Sequence, residues 1–221
     1  MNKAQIVASL RDARLFRVLS ADTLATLAST AKRVTHDADA TIFFRGDPPD
    51  QVFLVLSGRV AVESMSSQGK TIAISSIGKG EVFGEMAVLD GRDRSANIRT
   101  LEPTVLLSIS SLSFHALLRD SSAFSQEVIQ DLVRRLRLSD AKIESVMFLP
   151  LKRRLSDLLL DLFHMHGREL KITQAELAYQ LTATREKVNV NLQVLRESGA
   201  IVLGRGRIEL IDADLLGRTK P

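Results

Sequence analysis

The sequence contains no cysteine. That absence removes disulfides, thiolate nucleophiles, iron–sulfur clusters and cysteine zinc sites together. Histidine is scarce as well, with only His36, His115, His164 and His166. His164 and His166 are two residues apart, on different faces of a helix, and no His-x-x-x-His or Glu-x-x-His partner completes a shell, so no metal site is expected. Long apolar runs are also missing. Nowhere do roughly 18 apolar residues run unbroken, and residues 1–20 carry Lys3, Arg11, Asp12 and Arg14 without an apolar core. Neither a membrane span nor a signal peptide is expected, and the expected location is the cytoplasm.

What is present is ordinary for a globular chain: 221 residues, 45% of them hydrophobic and 25% charged, enough for one large or two small cores. The net charge of +4 is unevenly spread, with 18 Lys and Arg against 17 Asp and Glu in residues 1–148, and 12 against 9 in residues 149–221. A C-terminal basic excess permits a phosphate-binding surface, and a solvated charged face explains it equally well.

After Ser20, a plausible N-cap, Leu24, Leu27, Ala28 and Ala31 follow helical spacing and predict a short helix to about Val34. Between Thr35 and Ser110 the period falls to two, in runs at 41–44, 52–56, 60–63, 71–74 and 104–109. Glycines 46, 58, 69, 78, 80, 84 and 91 punctuate them. This pattern predicts an antiparallel barrel or roll. Helical spacing returns after Ser113 and runs to Phe148. Along it Ile129, Leu132, Leu136, Ser139, Ile143 and Val146 alternate by three and four, the seam of a parallel helix pair. Ser139 is the polar member, as a register device or as a ligand contact at the dimer axis. Pro150 then ends the helix, leaves Phe148 and Leu149 as a hinge, and suits the first turn of a new helix to about His166.

Beyond the hinge, Thr173-Gln-Ala-Glu176 is a capping-box sequence, with Leu177 and Leu181 as its inward face. A turn at 181–183 follows, and Thr184 can cap a second helix to about Glu197 with Val188, Leu192 and Leu195 on one side. Two helices so joined describe a helix-turn-helix. Arg185, Glu186, Lys187 and Asn189 cluster in the first turns of the second helix, where arginine can pair with guanine, glutamate with cytosine and asparagine with adenine. Residues 201–203 and 208–211, joined by Gly204-Arg205-Gly206-Arg207, form a wing whose arginines suit phosphates. A helical hairpin with a solvated charged face is the plainer reading. The combination of helix-turn-helix, wing and basic excess favours DNA binding.

The densest stretch of the N-terminal part is Phe83-Gly-Glu-Met-Ala-Val-Leu-Asp-Gly-Arg-Asp-Arg-Ser-Ala96. Gly84 lets backbone approach a ligand, and amides near a helical turn from Glu85, with Arg94 and Ser95, suit one phosphate. Glu85 is then the odd member. It fits a phosphate site only if it bonds a sugar hydroxyl and is balanced by a cation.

Gly84-Glu85-Met86-Ala87 followed by Arg94-Ser95-Ala96 resembles the phosphate-binding cassette of cyclic-nucleotide domains. With Arg134-Arg135-Leu136 on a long helix and Arg185-Glu186-Lys187-Val188 in a winged helix-turn-helix, the chain resembles the cyclic-AMP receptor branch of the CRP/FNR regulators over nearly its whole length. The resemblance implies an α+β chain. Its parts are a cyclic-nucleotide-binding β-roll (double-stranded β-helix) at 1–112, a dimerisation helix at 113–148 and a winged helix-turn-helix DNA-binding domain at 149–221. It also implies that Glu85 bonds the ribose 2′-hydroxyl, that Arg94 and Ser95 hold the cyclic phosphate, and that Gly84 and Met86 give backbone contacts. Arg135 would pair with Glu85, and Ser139 would meet the purine with Asp140 arriving from the second subunit. The family's second small hydroxyl residue is Asp140 here, and a carboxylate only accepts, which suits adenine's amino group or guanine's donors. Val190 stands where arginine is common, so a guanine-reading fork is missing at that position.

The expected function is that of a homodimeric transcription regulator controlled by cyclic AMP, or by cyclic GMP, and binding double-stranded DNA at a pseudo-palindromic operator. Thr173, Thr184, Arg185, Glu186, Lys187, Asn189, Arg205 and Arg207 are the expected DNA-binding residues, and RNA polymerase is the expected further partner. The alternatives are a regulator of the same family using cyclic di-GMP or no ligand, and a nucleotide-binding adaptor without DNA binding. No catalytic residues are expected, since no His/Asp cluster or positioned base is visible.

Overall fold

The computed structural model describes residues 2–65, 71–204 and 206–217. The chain divides into two compact units, residues 1–136 and 137–221. Among the described residues no helix is long and apolar enough to cross a membrane, and no group of His, Asp and Glu is placed to hold a metal.

The first unit opens with α1 (Lys3–Asp12), which the sequence reading did not anticipate. Asn2 Oδ1 accepts the Gln5 N–H at 3.0 Å while Gln5 Oε1 accepts the Asn2 N–H at 2.9 Å, a reciprocal cap on two otherwise open amides. Only Ile6 and Leu10 of this helix are buried, a stripe too narrow to stand out among its charges. Helix α2 (Ala21–Thr30) starts at Ser20, whose Oγ accepts the Thr23 N–H. It stops at Thr30 instead of continuing to Val34. Residues Lys32–His36 become β1, paired antiparallel with β8 (Thr104–Ser110) over five positions. That ladder outweighs the one further helical turn available to them.

Six more strands complete two four-stranded antiparallel sheets: β2 (Thr41–Phe43), β3 (Gln51–Ser57), β4 (Val60–Met65), β5 (Thr71–Ile77), β6 (Val82–Phe83) and β7 (Asn97–Thr100). Their orders are β1-β8-β3-β6 and β2-β7-β4-β5. The unbroken apolar run in β3 follows from burial on both faces. Phe53 and Val55 join Val60, Ile77, Phe83, Ile98 and Leu106 inside the roll. Val52 and Leu54 face a second core built with Leu10, Phe16, Leu24, Phe114 and Phe124. Gly69 lies outside the described residues.

The expected single helix after Ser113 is two helices. Ser121 adopts extended angles (φ −135°, ψ 103°) and separates α4 (Ser111–Asp120) from α5 (Ser122–Phe148). Its Oγ accepts the Phe124 N–H at 3.2 Å, so a serine inside the apparent periodicity caps a new helix. Between β6 and β7 lies the short α3 (Glu85–Asp90), entered through Gly84.

In the second unit α6 (Leu151–His166) begins after Pro150, whose ring removes the N–H that a helix start leaves unpaired. Helices α7 (Gln174–Gln180) and α8 (Arg185–Glu197) follow, each with its expected threonine N-cap. Strands β10 (Ile201–Gly204) and β11 (Arg207–Leu210) form the wing hairpin, extended by β9 (Glu169–Leu170), and α9 (Ala213–Gly217) closes the fold. Leu155, Leu159, Phe163, Leu177, Val188, Leu192, Leu195, Ile201 and Ile208 make one core, so α6, α7 and α8 each contribute an apolar stripe to the same centre.

Candidate functional site

The first candidate site is built where β6 turns into α3. Gly84 sits at φ 79°, ψ 2°, and a Cβ there would lie 2.7 Å from Arg94 Nη1, so both conformation and space require glycine. The turn brings Glu85 inward, and only 5% of its side chain is exposed. Arg135 on α5 reaches it: Nη1 donates to Glu85 Oε1 at 3.0 Å and Nη2 to the Val82 carbonyl at 2.7 Å, while Nε pairs with Asp131 one turn earlier at 2.7 Å. Burial raises the Glu85 pKa above its ordinary value, with Arg135 the foremost influence pulling it back. The cation that Glu85 needs is therefore in place, in the arginine expected to supply it.

Arg94 is the second buried charge. Its backbone is clamped between Asp47 and Gly46, with Arg94 N–H to Asp47 O and Gly46 N–H to Arg94 O both at 2.9 Å. The guanidinium lies 4.3 Å over the Phe43 ring and donates from Nη1 to the Gly84 carbonyl and from Nη2 to the Gln51 carbonyl, each at 2.7 Å. Its ion-pair partner among the described residues, Asp50 at 3.4 Å, is 66% exposed, and Asp47 and Glu85 act on it more weakly. Burial lowers the Arg94 pKa. Its Nε is buried and has no hydrogen-bond partner among the described residues. A buried guanidinium with a spare N–H, ion-paired to a carboxylate that solvent already surrounds, fits an added anion. Met86 is 56% exposed, and Ser95 is exposed beside Arg94. Ser139 and Asp140 are exposed on α5. Phe43, Asp50, Gln51 and Asp131 escaped the sequence reading. Only Asp131 had a visible signal, four residues before Arg135 at ion-pair spacing.

The second candidate site is the helix-turn-helix. Thr173 and Glu176 form the expected reciprocal cap, and Thr184 Oγ1 accepts the Lys187 N–H at 3.3 Å. Arg185, Glu186 and Lys187 are exposed at the start of α8, as is Val190, at 62%. Asn189 is placed differently. It is half-buried, and its Oδ1 accepts from Gln174 Nε2 at 3.0 Å and Gln193 Nε2 at 3.4 Å, which binds α8 to α7. Arg207 is exposed on the wing, 3.8 Å from Glu169, whereas Arg205 lies outside the described residues.

The two sites define a class of protein in which an anion-accepting β-roll and a winged helix-turn-helix share one chain. Residues 33–121 match the cyclic nucleotide-binding domain, and residues 153–219 match the Crp-like helix-turn-helix domain. The cyclic AMP receptor protein of Thermus thermophilus is 31% identical over 208 residues, covering 94% of this chain and 96% of that protein. The CRP-like cAMP-activated global transcriptional regulator of Mycobacterium tuberculosis is 24% identical over 217 residues, 95% of this chain and 97% of that one. Among solved structures, the catabolite activator protein of T. thermophilus aligns with a TM-score of 0.54 at 31% identity, over 92% of this chain and 96% of its own. The c-di-GMP responsive global regulator CLP of Xanthomonas campestris aligns at 0.75 and 23% identity, over 86% of this chain and 99% of its own. The chain belongs to the CRP/FNR family of DNA-binding transcription regulators.

Proposed function

We propose that this regulator is a homodimer controlled by a purine cyclic mononucleotide, with cyclic AMP favoured and cyclic GMP the alternative. The observation that carries this reading is the pairing of buried Glu85 with Arg135 next to buried Arg94, whose Nε lacks a hydrogen-bond partner among the described residues. A cyclic mononucleotide supplies one anionic phosphate, a ribose 2′-hydroxyl and a purine edge. Arg94 and Ser95 hold the phosphate, with Gly84 and Met86 giving backbone contacts. Glu85 accepts the ribose hydroxyl with Arg135 as its counter-charge, and Ser139 with the second subunit's copy of Asp140 meets the base.

The apolar face of α5 supports the dimer. Ile129, Leu136 and Ile143 recur every seven residues and are 61%, 61% and 56% exposed, a repeat that a second copy of α5 would cover. Recognition helices of such a dimer address half-sites of a pseudo-palindromic operator about 34 Å apart. Arg185, Glu186 and Lys187 read base edges, Arg205 and Arg207 hold phosphates, and RNA polymerase is the partner through which transcription changes.

Calorimetric titration with cyclic AMP, cyclic GMP and cyclic di-GMP tests the ligand. The expected result is about micromolar binding of one mononucleotide, abolished in Arg94→Ala. Binding of cyclic di-GMP alone, or of none, overturns it.

A further inference from the structure

Helix α6 carries three consecutive basic residues, Lys152, Arg153 and Arg154, and the last two have different fates. Arg153 Nε donates to Asp157 at 3.0 Å, one turn along the helix. Arg154 turns into the domain. Its Nη1 donates to the Leu181 carbonyl at 2.8 Å, and its Nε is sealed from solvent without a hydrogen-bond partner among the described residues. Burial lowers its pKa, and no carboxylate among the described residues offsets that burial. A half-buried guanidinium with one sealed N–H and no offsetting carboxylate carries a cost that its contact with the Leu181 carbonyl offsets in part.

Leu181 is the C-cap residue of α7. Its carbonyl is one of those a helix end leaves open, at the negative end of the helix dipole, where a guanidinium is well placed. The turn that follows is strained. Thr182, a β-branched residue, sits at φ 49°, and its buried Oγ1 has no hydrogen-bond partner among the described residues. The Thr182 N–H bonds the Tyr179 carbonyl at 3.2 Å and the Ala183 N–H bonds the Ala178 carbonyl at 2.9 Å. Strain of this kind persists only where surrounding contacts over-determine it. Arg154 makes one such side-chain contact from a different helix, on the Leu181 carbonyl, and α8 starts at Arg185, directly after the Thr184 cap.

We infer that Arg154 is a positioning residue for DNA recognition: through the Leu181 carbonyl it locks the turn of the helix-turn-helix to α6 and so sets the direction in which α8 leaves that turn. Helix α6 begins directly after Pro150, so the same contact ties the recognition helix to the first helical turn behind the hinge. The inference rests on the DNA-binding assignment of this domain and is independent of which nucleotide the first unit binds.

The test uses the full chain and a duplex that the wild-type protein selects from a random-sequence pool. Arg154→Met removes the donor and the charge but keeps an apolar stem; Arg154→Lys keeps a charged donor. The expected loss in affinity for the selected duplex is at least about fivefold in Arg154→Met, with most of it recovered in Arg154→Lys. The slope of log affinity against log salt stays at the wild-type value, because no phosphate contact is lost. Amide hydrogen exchange quickens at Ala183 and in the first turn of α8 and stays unchanged in the wing. A loss below about fivefold, a lysine variant no better than methionine, or quickened exchange throughout the domain overturns the inference. So does a salt slope shallower by about one, which would make Arg154 a phosphate contact.

Discussion

Glu85 and Arg135 lie 50 positions apart and meet in a 3.0 Å charge-assisted hydrogen bond between α3 and α5. The contact joins the turn that opens α3 to the helix that carries the apolar seam. Asp131 and the Val82 carbonyl fix the arginine from two further sides, so its guanidinium is pre-organised.

Because burial raises the Glu85 pKa from 4.5, the folded unit holds a proton that the unfolded chain has lost. The stability Glu85 contributes is therefore full below pH 4.5 and declines as pH rises through its folded pKa. Glu85→Gln cannot lose that proton. In calorimetric unfolding of the N-terminal unit across the acid range, the variant should gain on wild type as pH rises. Arg135→Met, which removes the main opposing influence, should steepen the wild-type decline.

Gly84→Ala places a methyl group 2.7 Å from Arg94 Nη1 and forces an alanine to φ 79°. The expected cost is about 1–3 kcal/mol of N-terminal stability, together with loss of nucleotide binding as Arg94 shifts. Thermal unfolding and the same titration check both effects. A variant that binds normally would show that Arg94 has room the geometry denies it.

Much of this was legible in the sequence because the decisive residues are local and punctuated. Thr173 with Glu176, Thr184, Pro150 and Gly84 each act within a turn of their own position, and each stands where it was expected. What escaped depends on partners distant in sequence. Residues 32–34 read as the end of a helix until β8 offers them a ladder, and the bond from Gln174 to Asn189 Oδ1 leaves no mark in the spacing. The Glu85–Arg135 pair is equally distant. It was expected only because the chain resembles a family, since spacing alone carries no signal across 50 residues.

The exposed seam of α5 makes the dimer testable. Leu136 and Ile143 lie at one heptad position with Ile129. A glutamate at Leu136 would put two like charges face to face in a parallel pair, and sedimentation should show the dimer dissociation constant raised at least about tenfold. An unchanged dimer would move the interface elsewhere.

Asn189 serves as a strut between α7 and α8, so its substitutions should separate support from reading. Asn189→Asp keeps the acceptor that Gln174 and Gln193 use but loses the donor that a bidentate adenine contact requires. It should therefore keep the selected sequence profile. Asn189→Ala should weaken all duplexes together, by about 1 kcal/mol. A profile altered at one base position in the aspartate variant would return Asn189 to the reading residues.

Thr182 combines two unfavourable features: a β-branched residue at φ 49° and a buried hydroxyl without a hydrogen-bond partner among the described residues. Glycine removes both, at an entropic cost smaller than their sum, so Thr182→Gly should stabilise the C-terminal unit by about 1 kcal/mol. The chain has one tyrosine and no tryptophan, and that tyrosine, Tyr179, stands three residues before the turn. Its fluorescence therefore follows the unfolding of this unit alone, free of signal from the roll. If stability rises while affinity for the selected duplex falls, the strain belongs to recognition, since a looser turn lets α8 depart from its docking angle. If both rise, the threonine conformation is a cost that DNA binding does not use.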